Sequence, residues 1–424
     1  MRHALRPQRI DDGIGQRGQG AGAAGLAHAY ADPRQIERFW GPPGWPATFT
    51  RHDVAVGGRS NYAMTGPDGE RSGGYWEFLA VEEGKSFEVL DGFADDEQRL
   101  PIFAEHRAAF EKFLDHGDFT AQRLEIPYED TTLPGWYLTP KTGHTGATLV
   151  TINGSDGSVS ALWCAAAFGA LRRGYGVVLY DGPGQQSMLF ERGIGFRPDW
   201  EAVLRPVTDY VLKLPGVDAA KLALYGISQA GYWVPRSLAF EHRYAAAVAD
   251  PGVVEVRTSW LKFFPKPLID ALDKGRAELF NREISLGMKF SPATRRMWDW
   301  RARPYPHGSF YDTMQALVPY TITPAIAEQI VTPLLITDPD HEQFWPGQSQ
   351  ALAAMCRDGI ATLARFTTAE GADWHCQPMA RALTDERMFD WLDDHGNACD
   401  TSFICVDEAR SEERRVGKEC LRLC

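Results

Sequence analysis

The stretch "LALYGISQAGYWVP", residues 222–235, decides the reading of this chain. Leu222 to Tyr225 have the apolar run of a buried strand, and the residues after Ser228 open a helix. A serine on a tight turn between strand and helix is the setting of a nucleophile elbow, usually spelled G-x-S-x-G. Here Ala230 stands where the last glycine is expected, and Gly231 follows it. The elbow holds its serine in a strained backbone conformation, so the residues two before and two or three after must be small. Gly226, Ala230 and Gly231 meet that need. Ser228 Oγ would then sit at the positive end of a helix, where a developing anion is favoured. The competing reading is a serine N-cap, which prefers the same position.

The surrounding order of elements favours the elbow. Outward from Ser228, apolar strands alternate with helices: "ATLVTI", a helix over about 159–173, "GVVLYD", a helix over about 200–214, "LALYG", a helix after Ser228, and "AAAVAD". The alternation resumes with "PLLIT", a helix from about 347, "TLARFTTA", and a last helix ending near "FDWLDD". Such alternation predicts an α/β fold with a mostly parallel sheet covered by helices on both faces. A helix, "IFAEHRAAFEKFLDHG", and a hairpin, "AQRLEIPYEDTTLPGWYLTP", precede it.

The other groups follow from where this chemistry needs them. One oxyanion donor is the N–H after the nucleophile, Gln229. The second comes from the loop after an earlier strand, "TINGSDGS", with Gly154 and Ser155 as candidates; an ordinary strand-to-helix turn is the competing reading. "YDGPGQQS", 180–187, reads as structural, lining the pocket floor. Of eleven histidines, His375 in "EGADWHCQPMA" lies between the last strand and the last helix, the slot for the base, with His242 and His341 as weaker choices. The acid should follow "PLLIT", where "DPDHEQFWPGQ" offers Asp338, Asp340 and Glu342. Glu342 stands four residues before Pro346, which opens the next helix. Asp340 and Asp338 remain the alternatives.

At "EIPYEDTTLPGWYL", "YDGPGQQS", "YGISQAGYW", "DPDHEQFWPGQ" and "GADWHCQ" the chain resembles the α/β-hydrolase family of 2,6-dihydroxypseudooxynicotine hydrolase, fungal polyketide-shortening hydrolases and FrsA-like esterases, over about residues 100–395. The resemblance implies an α/β-hydrolase fold and a triad of Ser228, His375 and one acid, which it places four residues before a proline, so that Glu342 is chosen. It also implies cleavage of an ester or of a carbon–carbon bond beside a ketone, with a helical N-terminal segment helping to roof the site. The insertion 255–330 lies where such folds carry a helical lid. Its aromatic residues, Trp260, Phe263, Phe264, Phe280, Phe290, Trp298, Trp300, Tyr305, Phe310 and Tyr311, read mainly as the core of packed helices, with an apolar acyl or aryl pocket as the second reading. Arg295, Arg296, Arg301 and Arg303 read as solvated, with steering of an anionic substrate as the second reading.

Residues 31–97 are a different unit, with short alternating runs such as Tyr75 to Leu79 between turn signals such as Gly66-Pro67-Asp68-Gly69. "ERFWGPPGWPATFTRHD" and "MTGPDGERSGGYWEF" resemble the START-like SRPBCC superfamily in its heat-shock ATPase activator branch. Only a partial antiparallel segment is present: the opening strand is not recognisable, and the closing strands and helix after Glu97 are missing. A sheet without its covering helix should be poorly stable alone. "GPPG", 41–44, is a turn and no phosphate cradle. Residues 1–30 read as disordered. The tail "RSEERRVGKEC", 410–420, closely resembles the conceptual translation of a common sequencing adapter. Whether residues 1–97 are a natural fusion or a joining error is left open. The division is thus 1–30, 31–97, a hydrolase domain 98–398, and a tail 399–424, with no function placed on the first two or the last.

Composition bounds the partners. The 424 residues are 44% hydrophobic and 24% charged, as for globular cores. A net charge of −12 argues against nucleic acid and anionic membranes. No apolar run reaches the roughly 18 residues of a membrane span, and no secretory signal is read at the N-terminus. Seven cysteines, four of them (Cys399, Cys405, Cys420 and Cys424) crowded in the tail, show no zinc spacing and suit a reducing cytoplasm. No cofactor or metal motif occurs. The expected partner is a small apolar or aromatic carbonyl substrate, and a homodimer is left open. The rival functions are a prolyl-oligopeptidase-like peptidase, for which no β-propeller is encoded, and a non-catalytic ligand-binding protein of START-like type.

Overall fold

The computed structural model describes residues 8–10, 30–38, 40, 45–67, 71–82, 86–93, 99–305 and 308–396. The disorder expected over most of 1–30, the turns at 41–44 and 68–69, the adapter-like tail and its four cysteines lie outside the described residues. The chain divides into two compact units, residues 1–116 and 117–424; the sequence reading opens its second domain at residue 98.

The first unit contains β1 (Gln8–Ile10), α1 (Pro33–Ile36), β2 (Ala47–His52), β3 (Arg59–Thr65), β4 (Arg71–Glu82), β5 (Ser86–Phe93) and α2 (Arg99–His116). Its sheet is antiparallel, in the order β1-β5-β4-β3-β2. β1 corrects the expectation of disorder through residue 30: Gln8–Ile10 add to the free edge of β5, which needs main-chain hydrogen bonds and no side-chain pattern. Tyr30, Ile36, Tyr62, Trp76, Phe78 and Phe87 form a small aromatic core, with Trp40 edge-on to Trp76 at 4.7 Å.

The second unit begins with the hairpin β6 (Phe119–Tyr128) and β7 (Thr131–Pro140). There follow β8 (Thr148–Ile152), α3 (residues 159–172, with a π turn at Trp163–Ala167), β9 (Gly176–Tyr180), α4 (Gln186–Phe190), α5 (Glu201–Val211), β10 (Leu222–Ile227), α6 (Ala230–Leu238) and β11 (Ala246–Asp250). Then come six insertion helices: α7 (Thr258–Leu261), α8 (Lys266–Asp273), α9 (Ala277–Phe290), α10 (Pro292–Ala302), α11 (Phe310–Ala316) and α12 (Pro324–Ala327). The unit closes with β12 (Leu334–Pro339), α13 (Gln348–Met355), β13 (Ala361–Phe366) and α14 (Arg381–Gly396).

The eight strands run in the order β13-β12-β11-β10-β8-β9-β7-β6, parallel from β13 to β9. β8, β9, β10 and β11 are buried along their length, apart from Ile227 at the end of β10, as strands covered on both faces must be. The chain leaves β8 for β9 on one side and returns to β10 on the other. The strand order therefore reverses between β8 and β10, and a crevice opens beyond their carboxyl ends, where open α/β sheets bind ligands.

The insertion is tied at its base. Ile322 N–H donates to Val254 O (2.8 Å) and Val256 N–H to Tyr320 O (3.1 Å), around an antiparallel bridge of Glu255 and Thr321. Gln348 of α13 holds the same base, accepting from the N–H of Val254 and Glu255 at 2.7 and 2.9 Å. Trp260, Phe280, Trp298 and Tyr305 are buried within it, as core. Phe263 and Phe290 are exposed. Arg295 pairs with Asp299 at 2.8 Å, and Arg301 lies over the Trp260 ring at 4.2 Å. The Arg296 side chain lies outside the described residues.

Candidate active site

β10 lies in the middle of the parallel strands and delivers Ser228 to the head of the crevice. Ser228 has φ +59°, in the left-handed region that L-residues avoid. The strain is held by its neighbours: Ser228 N–H donates to Asp250 O at 2.6 Å, and its carbonyl accepts from Gly231 N–H at 2.9 Å. A Cβ on Gly226 would lie 2.5 Å from Val234 and 2.9 Å from Ala230. Ala230 itself fits, which explains the departure from the usual spelling. Gly231 cannot be exchanged in the same way, because a Cβ there would stand 1.7 Å from Pro251 O. Gly231→Ala is expected to destabilise by about 3 kcal/mol or more, since the new methyl meets a main-chain carbonyl and neither can rotate away. A urea midpoint unchanged from the parent would refute this.

His375 lies in the loop after β13 and is 8% exposed. Its Nε2 is 2.9 Å from Ser228 Oγ, and its Nδ1 is 2.9 and 2.8 Å from the two carboxylate oxygens of Glu342. With Nδ1–H donating to Glu342, Nε2 is the acceptor for the Ser228 hydroxyl. Glu342 is held in turn: Oε1 accepts from the N–H of Phe344 (2.8 Å) and Trp345 (3.2 Å). Both side chains of the pair are nearly buried, at 6% for His375 and 5% for Glu342. The rings of Phe344 and Trp345 flank the imidazole at 4.6 and 5.7 Å.

The other candidates are engaged elsewhere. Asp340 accepts from Arg365 Nε (2.9 Å) and Thr368 N–H (3.3 Å). Asp338 accepts from Gln350 Nε2 at 2.6 and 2.7 Å, and burial pushes its carboxyl up. His341 pairs with Asp373 at 2.6 Å, its hydrogen bond holding that carboxyl below the usual range. This pair joins the loop of Glu342 to the loop of His375. His242 is exposed beyond the end of α6.

Gly154 lies against the serine, where a Cβ would meet Ser228 Cβ at 2.8 Å and Oγ at 3.4 Å. Its N–H, however, donates to Asn153 Oδ1 at 2.9 Å. The N–H groups of Gln229 and Ser155 have no acceptor among the described residues. The loop "YDGPGQQS", expected to line the pocket floor, supplies a brace that its spelling does not announce. Gln185 is 3% exposed; its Nε2 donates to Asn153 O (2.7 Å) and Gly154 O (3.4 Å), and its Oε1 accepts from Gly182 N–H (3.0 Å). One side chain thus braces the loop that faces Ser228. Gln229 reaches the insertion instead, where its Oε1 accepts from Tyr305 O–H at 3.0 Å.

Among the described residues no group of three or more His, Cys, Asp or Glu could hold a metal ion, and no helix is long and apolar enough to cross a membrane.

A family model described as "Alpha/beta hydrolase family" matches residues 149–386. The chain belongs to the α/β-hydrolase family. A second family model, "Activator of Hsp90 ATPase homolog 1-like protein", matches residues 26–145, which accords with the antiparallel sheet of the first unit. This α/β-hydrolase is 27% identical to Hydrolase LUC6 of Fusarium sp, over 77% of this chain and 82% of that protein. It is likewise 27% identical to 20-hydroxy-prefusarin hydrolase FUS2 of Gibberella moniliformis, over 77% of this chain and 82% of that protein. The crystal structure of 2,6-dihydroxy-pseudo-oxynicotine hydrolase shares its fold, with TM-score 0.56 and 18% identity over 71% of this chain and 75% of that one. The chain is therefore an enzyme of the hydrolase type.

Proposed function

We propose that this α/β-hydrolase is a serine hydrolase that cleaves an ester, or a carbon–carbon bond beside a ketone, in a small apolar or aromatic carbonyl compound. The observation that carries the reading is the unbroken chain from Ser228 Oγ through His375 to the Glu342 carboxylate, at 2.9 and 2.8 Å. His375 Nε2 takes the hydroxyl proton as Ser228 Oγ bonds to the substrate carbonyl carbon. The oxyanion is received by the N–H of Gln229 and an N–H of the Gly154–Ser155 loop. As the tetrahedral centre collapses, the C–O or C–C bond breaks and its electron pair leaves with the alkoxide or the enolate, which takes the proton from His375. Water, deprotonated by His375, then attacks the acyl-Ser228, releases the acid and restores the serine. Glu342 holds the imidazole tautomer and balances its positive charge.

The insertion supports an apolar substrate. A cavity of about 560 Å³ lies among its helices, lined by residues including Trp260, Phe264, Leu268, Ile284, Met288 and Trp298. The Trp260 ring lies 6.0 Å from Tyr305, whose hydroxyl bonds Gln229 beside the nucleophile. On the other flank Lys262 sits over the Phe344 ring at 5.0 Å, and Phe344 packs on His375. Tyr305 and Gln229 thus stand between the cavity wall and Ser228 on one flank, and Lys262 and Phe344 between its Phe263 and His375 on the other. Met288→Trp, which narrows it, is expected to lower kcat/KM for long-chain esters by about tenfold or more while sparing acetate esters. Equal losses across the ester series would detach the cavity from the substrate. A reducing cytoplasmic setting fits the free thiols Cys164, Cys356 and Cys376. The decisive experiment is labelling with a fluorophosphonate probe, followed by a panel of esters against 1,3-diketones. Modification at Ser228 and turnover of either class supports the reading; an unlabelled serine removes it.

A further inference from the structure

Beneath Ser228 lies a charged group that the chemistry above does not use. Asp250, the last residue of β11, is fully buried. Its carboxylate accepts from Tyr225 O–H (3.0 Å) on β10, three residues before Ser228. It accepts from Thr337 O–H (2.7 Å) on β12, the strand that leads to Glu342. It also faces Arg381 Nη1 at 3.4 Å, and the same nitrogen donates to Cys376 O at 2.9 Å, the carbonyl next after His375. The main-chain oxygen of Asp250 takes the Ser228 N–H (2.6 Å) and the Cys376 thiol (3.3 Å). Arg381, at the start of α14, is anchored from behind by Ala165 O on α3 and by Asp385 at 3.8 Å. One carboxylate and one guanidinium therefore touch the elbow strand, the acid strand and the histidine loop.

We infer that Asp250 and Arg381 are positioning residues that set the spacing of Ser228, Glu342 and His375, a role that rests on the serine-hydrolase reading. The three segments are far apart in sequence and reach the crevice from separate strand ends. A buried carboxylate is costly unless it is paired and hydrogen-bonded, and this one is bonded by those very segments. Burial and the Asp250 charge both push the Cys376 thiol and the Tyr225 hydroxyl up, so these groups stay neutral donors to Asp250. Arg381 has two arms to divide between Asp250 and Cys376 on one side and Ala165 on the other. A lysine has one point charge and cannot serve both.

The test compares Arg381→Met, Arg381→Lys, Asp250→Asn and Thr337→Val in the full chain. Each is counted by fluorophosphonate titration, so that kcat and KM on a p-nitrophenyl ester refer to competent serines only. Arg381→Met and Asp250→Asn are expected to lower kcat about a hundredfold, since a misplacement near 1 Å at the reacting groups costs that much, with KM little changed. Arg381→Lys should recover about tenfold of that loss, because the charge beside Asp250 returns without the second arm. Thr337→Val, which removes one arm without touching charge, should lower kcat about fivefold; it carries the test if the charge variants do not fold. A kcat per titrated serine equal to the parent's, with only the melting temperature reduced, would overturn the inference and leave the pair a structural brace. A parent that takes no label would sink the serine reading itself, and this inference with it.

Discussion

Ser228→Ala is expected to lower kcat by about a millionfold and to leave the fold intact, the loss that follows removal of a triad nucleophile. The fold should survive because what holds position 228 is main chain. The N–H bond to Asp250 O and the carbonyl bond to Gly231 N–H do not involve the hydroxyl. Alanine at φ +59° carries the same kind of backbone strain as serine. His375→Ala should cost a similar factor, and the double variant no more than either alone, because groups that act as a unit are not additive. Circular dichroism and thermal melting check the fold, and single-turnover assays check the chemistry. Residual activity above a few per cent would take Ser228 out of the mechanism.

Glu342→Gln is the second large effect, about ten-thousandfold in kcat, because an amide no longer holds the imidazole in the tautomer that accepts from Ser228 or balances its charge. Asp340→Asn and Asp338→Asn should stay within a few-fold of the parent. Their carboxylates bond Arg365 and Gln350, not His375. The three single changes, assayed for kcat on one ester, decide the acid. A collapse confined to Asp340→Asn would reverse the assignment.

Much of the hydrolase unit was legible because its strands are short, mostly apolar and separated by helices of ordinary length. β8, β9, β10 and β11 each show this pattern, and with β12 and β13 their sequence order places Ser228, Glu342 and His375 beyond successive strand ends. Position in the fold also picked His375 from eleven histidines, and the family's spacing of acid to proline singled out Glu342; the structure brings both within hydrogen-bond reach of one chain ending at Ser228. The engaged N–H of Gly154 was not legible, because it depends on the rotamer of Asn153. Nor were the braces. Gln185 stands in a quoted motif that does not name its partners, and Asp250 and Arg381 stand in segments whose spacing carries no motif and meet only when the sheet brings their elements together. β1 was missed for another reason: three residues on a sheet edge need only their main chain to pair.

The two-rung tie at the base of the helical insertion has a consequence for ancestry. Because residues 254–256 lie beside 320–322, the chain leaves the sheet and returns to it at nearly one point. Everything between is a closed excursion whose ends are already joined, so lengthening, shortening or replacing it adds little closure entropy and leaves the strand order untouched. The apolar cavity lies wholly within that excursion, from Trp260 to Arg301, whereas Ser228, Glu342 and His375 lie wholly outside it. On the serine-hydrolase reading, a lineage can therefore recombine the cassette and keep the Ser228–His375–Glu342 chain, with Tyr305 and Lys262 as the contacts it must preserve, so that appetite for new compounds and the means of cleaving them evolve as largely separable traits.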